Sequence, residues 1–91
     1  EVEEALYGHP AVSEVAVVGL PHPQWIEAVT AFVVRKEGWP ADTDDIMAPC
    51  QRQLSRFKIP KQIILVERLP RNAAGKILKR DLRDAMKAHY L

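Results

Sequence analysis
The chain has 91 residues, 47% of them hydrophobic, with a formal net charge of +1 and a single cysteine. That composition excludes disorder and leaves room for one small domain, burying roughly 60–65% of its unfolded surface. No apolar run approaches the roughly 20 residues of a membrane span, no signal-peptide pattern opens the chain, and Cys50 has no disulfide partner. A reducing, cytoplasmic setting is the expectation. Glu1 opens the chain directly on a helical pattern, so it reads as part of something longer.

Val2, Ala5 and Leu6 mark the buried stripe of a short helix, stopped by Gly8-His9-Pro10. Val15-Ala16-Val17-Val18 reads as a strand covered on both faces and ending at Gly19. Pro21-His22-Pro23 is expected as an exposed turn, and a second strand spans Ala28–Val34 until Glu37-Gly38-Trp39-Pro40 breaks it. Asp42 or Thr43 is placed to cap a helix whose apolar face is Ile46, Met47, Cys50 and Leu54. Pro49 predicts that this helix starts late, between Asp45 and Ala48, or else kinks. Gln62–Val66 forms a third strand, and Leu78, Leu82, Ala85 and Met86 define a C-terminal amphipathic helix. The predicted fold class is α+β, a small sheet of about three strands flanked by helices.

Charge is unevenly distributed. Residues 1–50 carry two basic side chains against nine acidic ones, a balance of −7, whereas residues 51–91 carry eleven against three, a balance of +8. A basic half of this size implies a polyanionic ligand, nucleic acid or an acidic partner, or a solvated face that keeps the domain soluble.

Between the third strand and the last helix lies Leu69-Pro70-Arg71-Asn72-Ala73-Ala74-Gly75-Lys76. Asn72 and Gly75 tolerate positive φ and the alanines add no bulk, so a small, flexible loop presents Lys76 at its end. A phosphate-binding loop would need glycine at position 70 and a hydroxyl residue at position 77. The chain has Pro70 and Ile77, which excludes that reading. His9, His22, His89 and Cys50 stand at no zinc-ligand spacing, so no metal site is expected. Cys50, on an apolar helix face, reads as core. Arg52, Arg56, Lys58 and Lys61 surround Phe57. That ring either stacks a base while the cations take its phosphates, or packs in the core beneath solvated charges.

Four blocks together resemble the C-terminal domain of adenylate-forming acyl-CoA synthetases, a group that includes fatty-acyl, 4-coumarate and chlorobenzoate CoA ligases. Glu1–Leu6 with His9-Pro10-Ala11-Val12 resembles the helix after the family's hinge. Val17–Glu27 resembles V-V-G-x-P-D-x-x-x-G-E, Leu54–Lys61 resembles L-x-x-[YF]-K-x-P-K, and Leu69–Ile77 resembles L-P-[RK]-[NT]-x-x-G-K-[IV]. The resemblance covers essentially all of residues 1–91 and implies a C-terminal lid domain whose large N-terminal domain is absent from this chain.

It further implies that Lys76 is the catalytic lysine of adenylation, in which a carboxylic acid and ATP give an acyl-adenylate. Phe57 and Lys61 then match the positions that meet the adenine and 3′-phosphate of CoA, and Trp25 matches a residue lining the pantetheine tunnel. ATP and CoA are implied as substrates, with Mg2+ accompanying ATP and bound outside this domain. The implied partners are the enzyme's own N-terminal domain and these small molecules, with no nucleic acid and no membrane span. In isolation the domain is expected to be inactive or nearly so. Two departures stand out: His22 replaces the usual aspartate, and Ile26 replaces the usual glycine, which predicts a reshaped turn. Ile59 stands where relatives can carry an arginine, which removes one phosphate contact. The alternatives are an adenylating enzyme that loads a carrier protein and, in a different class, a basic α+β nucleic-acid-binding module.

Overall fold
A computed structural model describes residues 2–39 and 42–91. Pro40, read from the sequence as part of a strand-breaking segment, lies outside the described residues, as do Glu1 and Ala41. The elements run α1 (Val2–Tyr7), β1 (Val12–His22), β2 (Ile26–Arg35), α2 (Thr43–Gln53), a 3-10 turn (Arg56–Lys58), β3 (Gln62–Leu65) and α3 (Lys79–Met86). The sheet has the order β1-β2-β3, with β1 antiparallel and β3 parallel to β2. A parallel pair needs a crossover, and α2 supplies it.

Alternating side chains send the strands' apolar residues to two separate cores. On one face Val15, Ala31, Val33 and Ile63 pack against Ala5 and Leu6 of α1 and Ile46 and Cys50 of α2. On the other, Ala16, Val18, Leu20 and Phe32 pack against Leu69 and Leu82, with Ile77, Met86 and Tyr90 at the margin. Both faces are covered, which is why these strands read as continuous apolar runs.

The element order matches the sequence reading; several boundaries do not. β1 extends from Val12 to His22, so Pro21 and His22 are its last residues and the turn falls later. α2 begins at Thr43 rather than near Asp45–Ala48, because the Asp42 carboxylate accepts the Asp45 N–H at 2.9 Å and caps the helix early. Pro49 therefore sits inside the helix, buried with Ile46 and Cys50, where its packing offsets the missing backbone donor. Ala85 is exposed; Leu82 is the buried residue of α3, and Met86 with Tyr90 beyond the helix packs partly buried against the same core. The Tyr90 hydroxyl lies 2.7 Å from Thr30 Oγ1, and Thr30 is fully buried.

The outer edge of β1 is closed by side chains rather than by a fourth strand. The Tyr7 hydroxyl accepts the Val15 N–H at 3.3 Å, and Glu3 Oε2 accepts the Val17 N–H at 2.9 Å. Lys79 of α3 approaches the same Glu3 oxygen at 2.9 Å. Burial would raise the Glu3 carboxyl, but Lys79 and the Val17 N–H outweigh it and hold that group below the usual carboxylate range.

Candidate functional site
Lys76 on one side, and Trp25 with Lys61 on the other, fall at opposite ends of the sheet. Lys76 belongs to the end where β1 begins. Around it, Asn72 organises a tight turn. Asn72 Oδ1 accepts the N–H groups of Ala74 (2.9 Å) and Lys76 (3.0 Å), while the Asn72 carbonyl accepts the Gly75 N–H at 2.9 Å. The Lys76 carbonyl accepts the Asn72 N–H at 3.0 Å, and Arg71 and Ile77 pair as an antiparallel bridge. Gly75 takes φ +85°, which a side chain would resist. Asn72 does not take positive φ; its contribution is the side-chain acceptor of an Asx turn. Hydrogen bonds within residues 71–76 thus close the loop that ends at Lys76.

Arg71 connects this turn to the sheet. Its guanidinium donates to the Gly75 carbonyl and to the Glu14 carboxylate. With side-chain exposures of 41% and 30%, the Arg71–Glu14 pair stabilises the fold by only about 0–1 kcal/mol. Lys76 itself is exposed.

Trp25 and Lys61 meet at the other end. Lys61 Nζ stands 4.6 Å from the centre of the Trp25 ring, a cation–π contact worth about 0.5–1 kcal/mol at an exposed site. The Lys61 N–H bonds the Val29 carbonyl at 2.7 Å, which fixes the chain as it enters β3. Trp25 is in turn stacked on His22, with ring centres 4.1 Å apart and planes 10° from parallel. His22 Nδ1 accepts the N–H of Gln24 at 3.1 Å and lies 3.4 Å from that of Trp25. His22 thus supplies the acceptor that an aspartate could offer, and adds a ring surface.

The departure at Ile26 has a visible consequence. Ile26 holds φ +65°, and Glu27 N–H donates to the Trp25 carbonyl at 2.6 Å, so the chain makes a strained γ-turn. This backbone suits glycine, and isoleucine occupies it while 90% exposed.

Phe57 is 96% exposed, which excludes its reading as a core residue. Its neighbours explain why it cannot turn inward. Pro60 is buried and Ile59 packs on the first core, anchoring the segment, while Phe57 rides on the 3-10 turn between Arg56 and Lys58. Cys50 is fully buried, and burial pushes its thiol pKa up, so it belongs to the core as the sequence suggested.

Along β1, Glu14 pairs with Val34 and His22 with Ile26, eight residues apart on one strand. At about 3.3 Å per residue, the Lys76 turn and the Trp25–Lys61 contact stand roughly 25 Å apart. The structure brings Trp25 and Lys61 together and keeps both away from Lys76. Glu14, Arg71 and His22 escaped notice as site residues because their roles depend on pairings distant in sequence. The Asn72 side-chain turn is local, and the Asn-x-x-Gly spacing was its available signal.

Among the described residues no helix is long and apolar enough to cross a membrane, and no three His, Cys, Asp or Glu side chains group as a metal site. Residues 1–76 match the family described as AMP-binding enzyme C-terminal domain. A peroxisomal butyrate–CoA ligase of Arabidopsis thaliana is 44% identical over 91 residues, covering 97% of this chain and 16% of that protein. A long-chain-fatty-acid–CoA ligase of Mycobacterium tuberculosis is 43% identical over 88 residues, covering 97% and 17%. Among solved structures, ATP-bound MatB from Rhodopseudomonas palustris superposes with a TM-score of 0.94 at 40% identity, covering 99% of this chain and 18% of that one. The chain therefore spans about a sixth of the length of the curated relatives it matches.

Proposed function
The chain belongs to the family of AMP-binding enzyme C-terminal domains, and from that premise we propose that it is the mobile lid of an ATP-dependent acid–thiol ligase. Its partner is a large N-terminal domain that binds ATP, Mg2+ and a carboxylic acid; the lid alone is inactive or nearly so. In the first half-reaction the carboxylate attacks the α-phosphorus of ATP. An acyl–oxygen–phosphorus bond forms, the bond to the bridging oxygen breaks, and pyrophosphate leaves. Two anions must meet, and negative charge grows on the phosphoryl oxygens and the leaving group. The Lys76 ammonium, desolvated as the lid closes, offsets that repulsion and orients the attack.

In the second half-reaction the CoA thiol gives up its proton and attacks the acyl carbon, and AMP leaves. Phe57 stacks on the CoA adenine, Lys61 meets the ribose 3′-phosphate, and Trp25 lines the path of the pantetheine arm. An exposed phenyl ring beside cations is the chemistry such a ligand requires.

The observation that carries this reading is the separation of the two groups. Lys76 and the Trp25–Lys61 contact lie at opposite ends of a short sheet, a separation that suits two sites used in turn better than one used at once. One rigid domain can present them in turn by rotating between half-reactions.

The test uses the full-length enzyme carrying Lys76→Ala. Acyl-adenylate formation should fall by about 10²–10³, the usual effect of removing one positioned donor. Thioester formation from supplied acyl-adenylate should stay near the unmodified rate. Survival of adenylation at its normal rate would remove Lys76 from the mechanism.

A further inference from the structure
We propose that Glu14, near the start of β1, is a positioning residue for Lys76 in the adenylation half-reaction; this rests on the function assigned to Lys76 above. The β1–β2 register shifts between Val12 and Glu14, so Ser13 is an extra, bulged residue. In a regular strand Val12 and Glu14 would share a face. The bulge separates them: Val12 is buried in the first core with α1 and α2, while Glu14 stays in phase with Ala16 and Val18, on the face that carries the Lys76 turn.

From there the Glu14 carboxylate accepts from the Arg71 guanidinium, which also donates to the carbonyl of Gly75, the residue before Lys76. Asn72 holds the inside of the turn, but its bonds are all within residues 72–76 and do not orient the turn against the sheet. All of residues 71–76 are exposed, so no buried side chain among them fixes that orientation. Leu69 and Ile77 anchor only the base. Glu14 and Arg71 therefore set the angle at which the Lys76 backbone leaves the domain.

A pair this exposed adds little to stability, whereas displacing a reacting group by about an ångström costs on the order of a hundredfold in rate. Glu14 lies outside the four sequence blocks that point to the family, and nothing in its local sequence distinguishes it from a solvated carboxylate.

The experiment measures both half-reactions in the full-length enzyme with Glu14→Ala, Glu14→Gln, Lys76→Ala and the double variant Glu14→Ala/Lys76→Ala. Glu14→Ala should lower acyl-adenylate formation by about ten- to a hundredfold. It should leave thioester formation from supplied acyl-adenylate within about twofold and melting within a degree or two of the unmodified enzyme. Glu14→Gln, which keeps an acceptor for Arg71, should recover most of the rate. In the double variant Glu14→Ala should cost nothing beyond Lys76→Ala, because there is no longer an ammonium to place. If Lys76→Ala collapses adenylation but Glu14→Ala leaves it intact, depresses both half-reactions equally, or adds its full cost in the double variant, the positioning role is refuted and the assignment of Lys76 stands. If Lys76→Ala itself leaves adenylation unchanged, the assignment of Lys76 fails and the role of Glu14 fails with it.

Discussion

Replacing Ile26 by glycine should make the protein more stable, although it removes a large hydrophobic side chain. Ile26 holds φ +65° in a γ-turn closed by the 2.6 Å bond from Glu27 N–H to the Trp25 carbonyl. An L-residue in this region costs about 1–2 kcal/mol, and β-branching puts isoleucine at the upper end. Because the side chain is 90% exposed, almost no burial is lost with it. Glycine relieves the strain but adds freedom to the unfolded chain, an opposing cost of roughly 0.5–1 kcal/mol. The balance favours Ile26→Gly by about 1–1.5 kcal/mol, which for a domain of this size raises Tm by about 4–12 °C. Thermal unfolding of the 91-residue chain, followed by far-ultraviolet circular dichroism, measures it. Ile26→Val is the control, since valine keeps the β-branched strain, and its Tm should stay within about 1 °C of the parent. A Tm for Ile26→Gly at or below that of Ile26→Val would show that the turn is not strained and that the reasoning is wrong.

The Glu3–Lys79 contact predicts a dependence on acidity. The folded-state pKa of Glu3 lies below its ordinary value near 4.5, so its stabilisation is present above that pH and disappears as pH falls through the folded value. The pair is partly exposed and is worth at most about 1 kcal/mol. Urea unfolding should find Glu3→Gln less stable than the parent at about pH 7 and the gap shrinking below about pH 4.5; a gap that persists undiminished at about pH 3 would contradict the assignment. Phe57→Ala should leave Tm unchanged, because the ring is 96% exposed. In the full-length enzyme it should raise KM for CoA by about five- to a hundredfold, from the roughly 1–3 kcal/mol of a stacked base. An unaltered KM would dismiss Phe57 from the CoA face.

What the sequence determined by itself is the succession of elements and the residue types they carry. Val15–Val18, Ala28–Val34 and Gln62–Val66 announce strands because apolar periodicity is a property of neighbours in the chain. The lysine block from Leu69 to Ile77 and the aromatic–basic block from Leu54 to Lys61 are likewise contiguous, so their residue types and spacings were legible. Even local signals can mislead when two compete: Pro49 argued for a late helix start, and the Asp42 cap prevailed. Ala85 kept helical spacing yet faces solvent, because the second core is closed by Tyr90 reaching Thr30 across 60 residues.

The tertiary structure alone decided where those blocks stand. The approach of Lys61 to the Trp25 ring follows from how β3 is laid beside β2, and the exposure of Phe57 is likewise seen only in the folded chain. Glu14 and Arg71 are 57 residues apart, and a one-residue bulge at Ser13 separates Glu14 from its neighbour Val12 across the sheet. Strand register turns positions along the chain into positions in space, and it is set by the packing of both sheet faces together. The placement of Lys76 and the Trp25–Lys61 contact at opposite ends is for that reason a property of the folded sheet rather than of any segment within it.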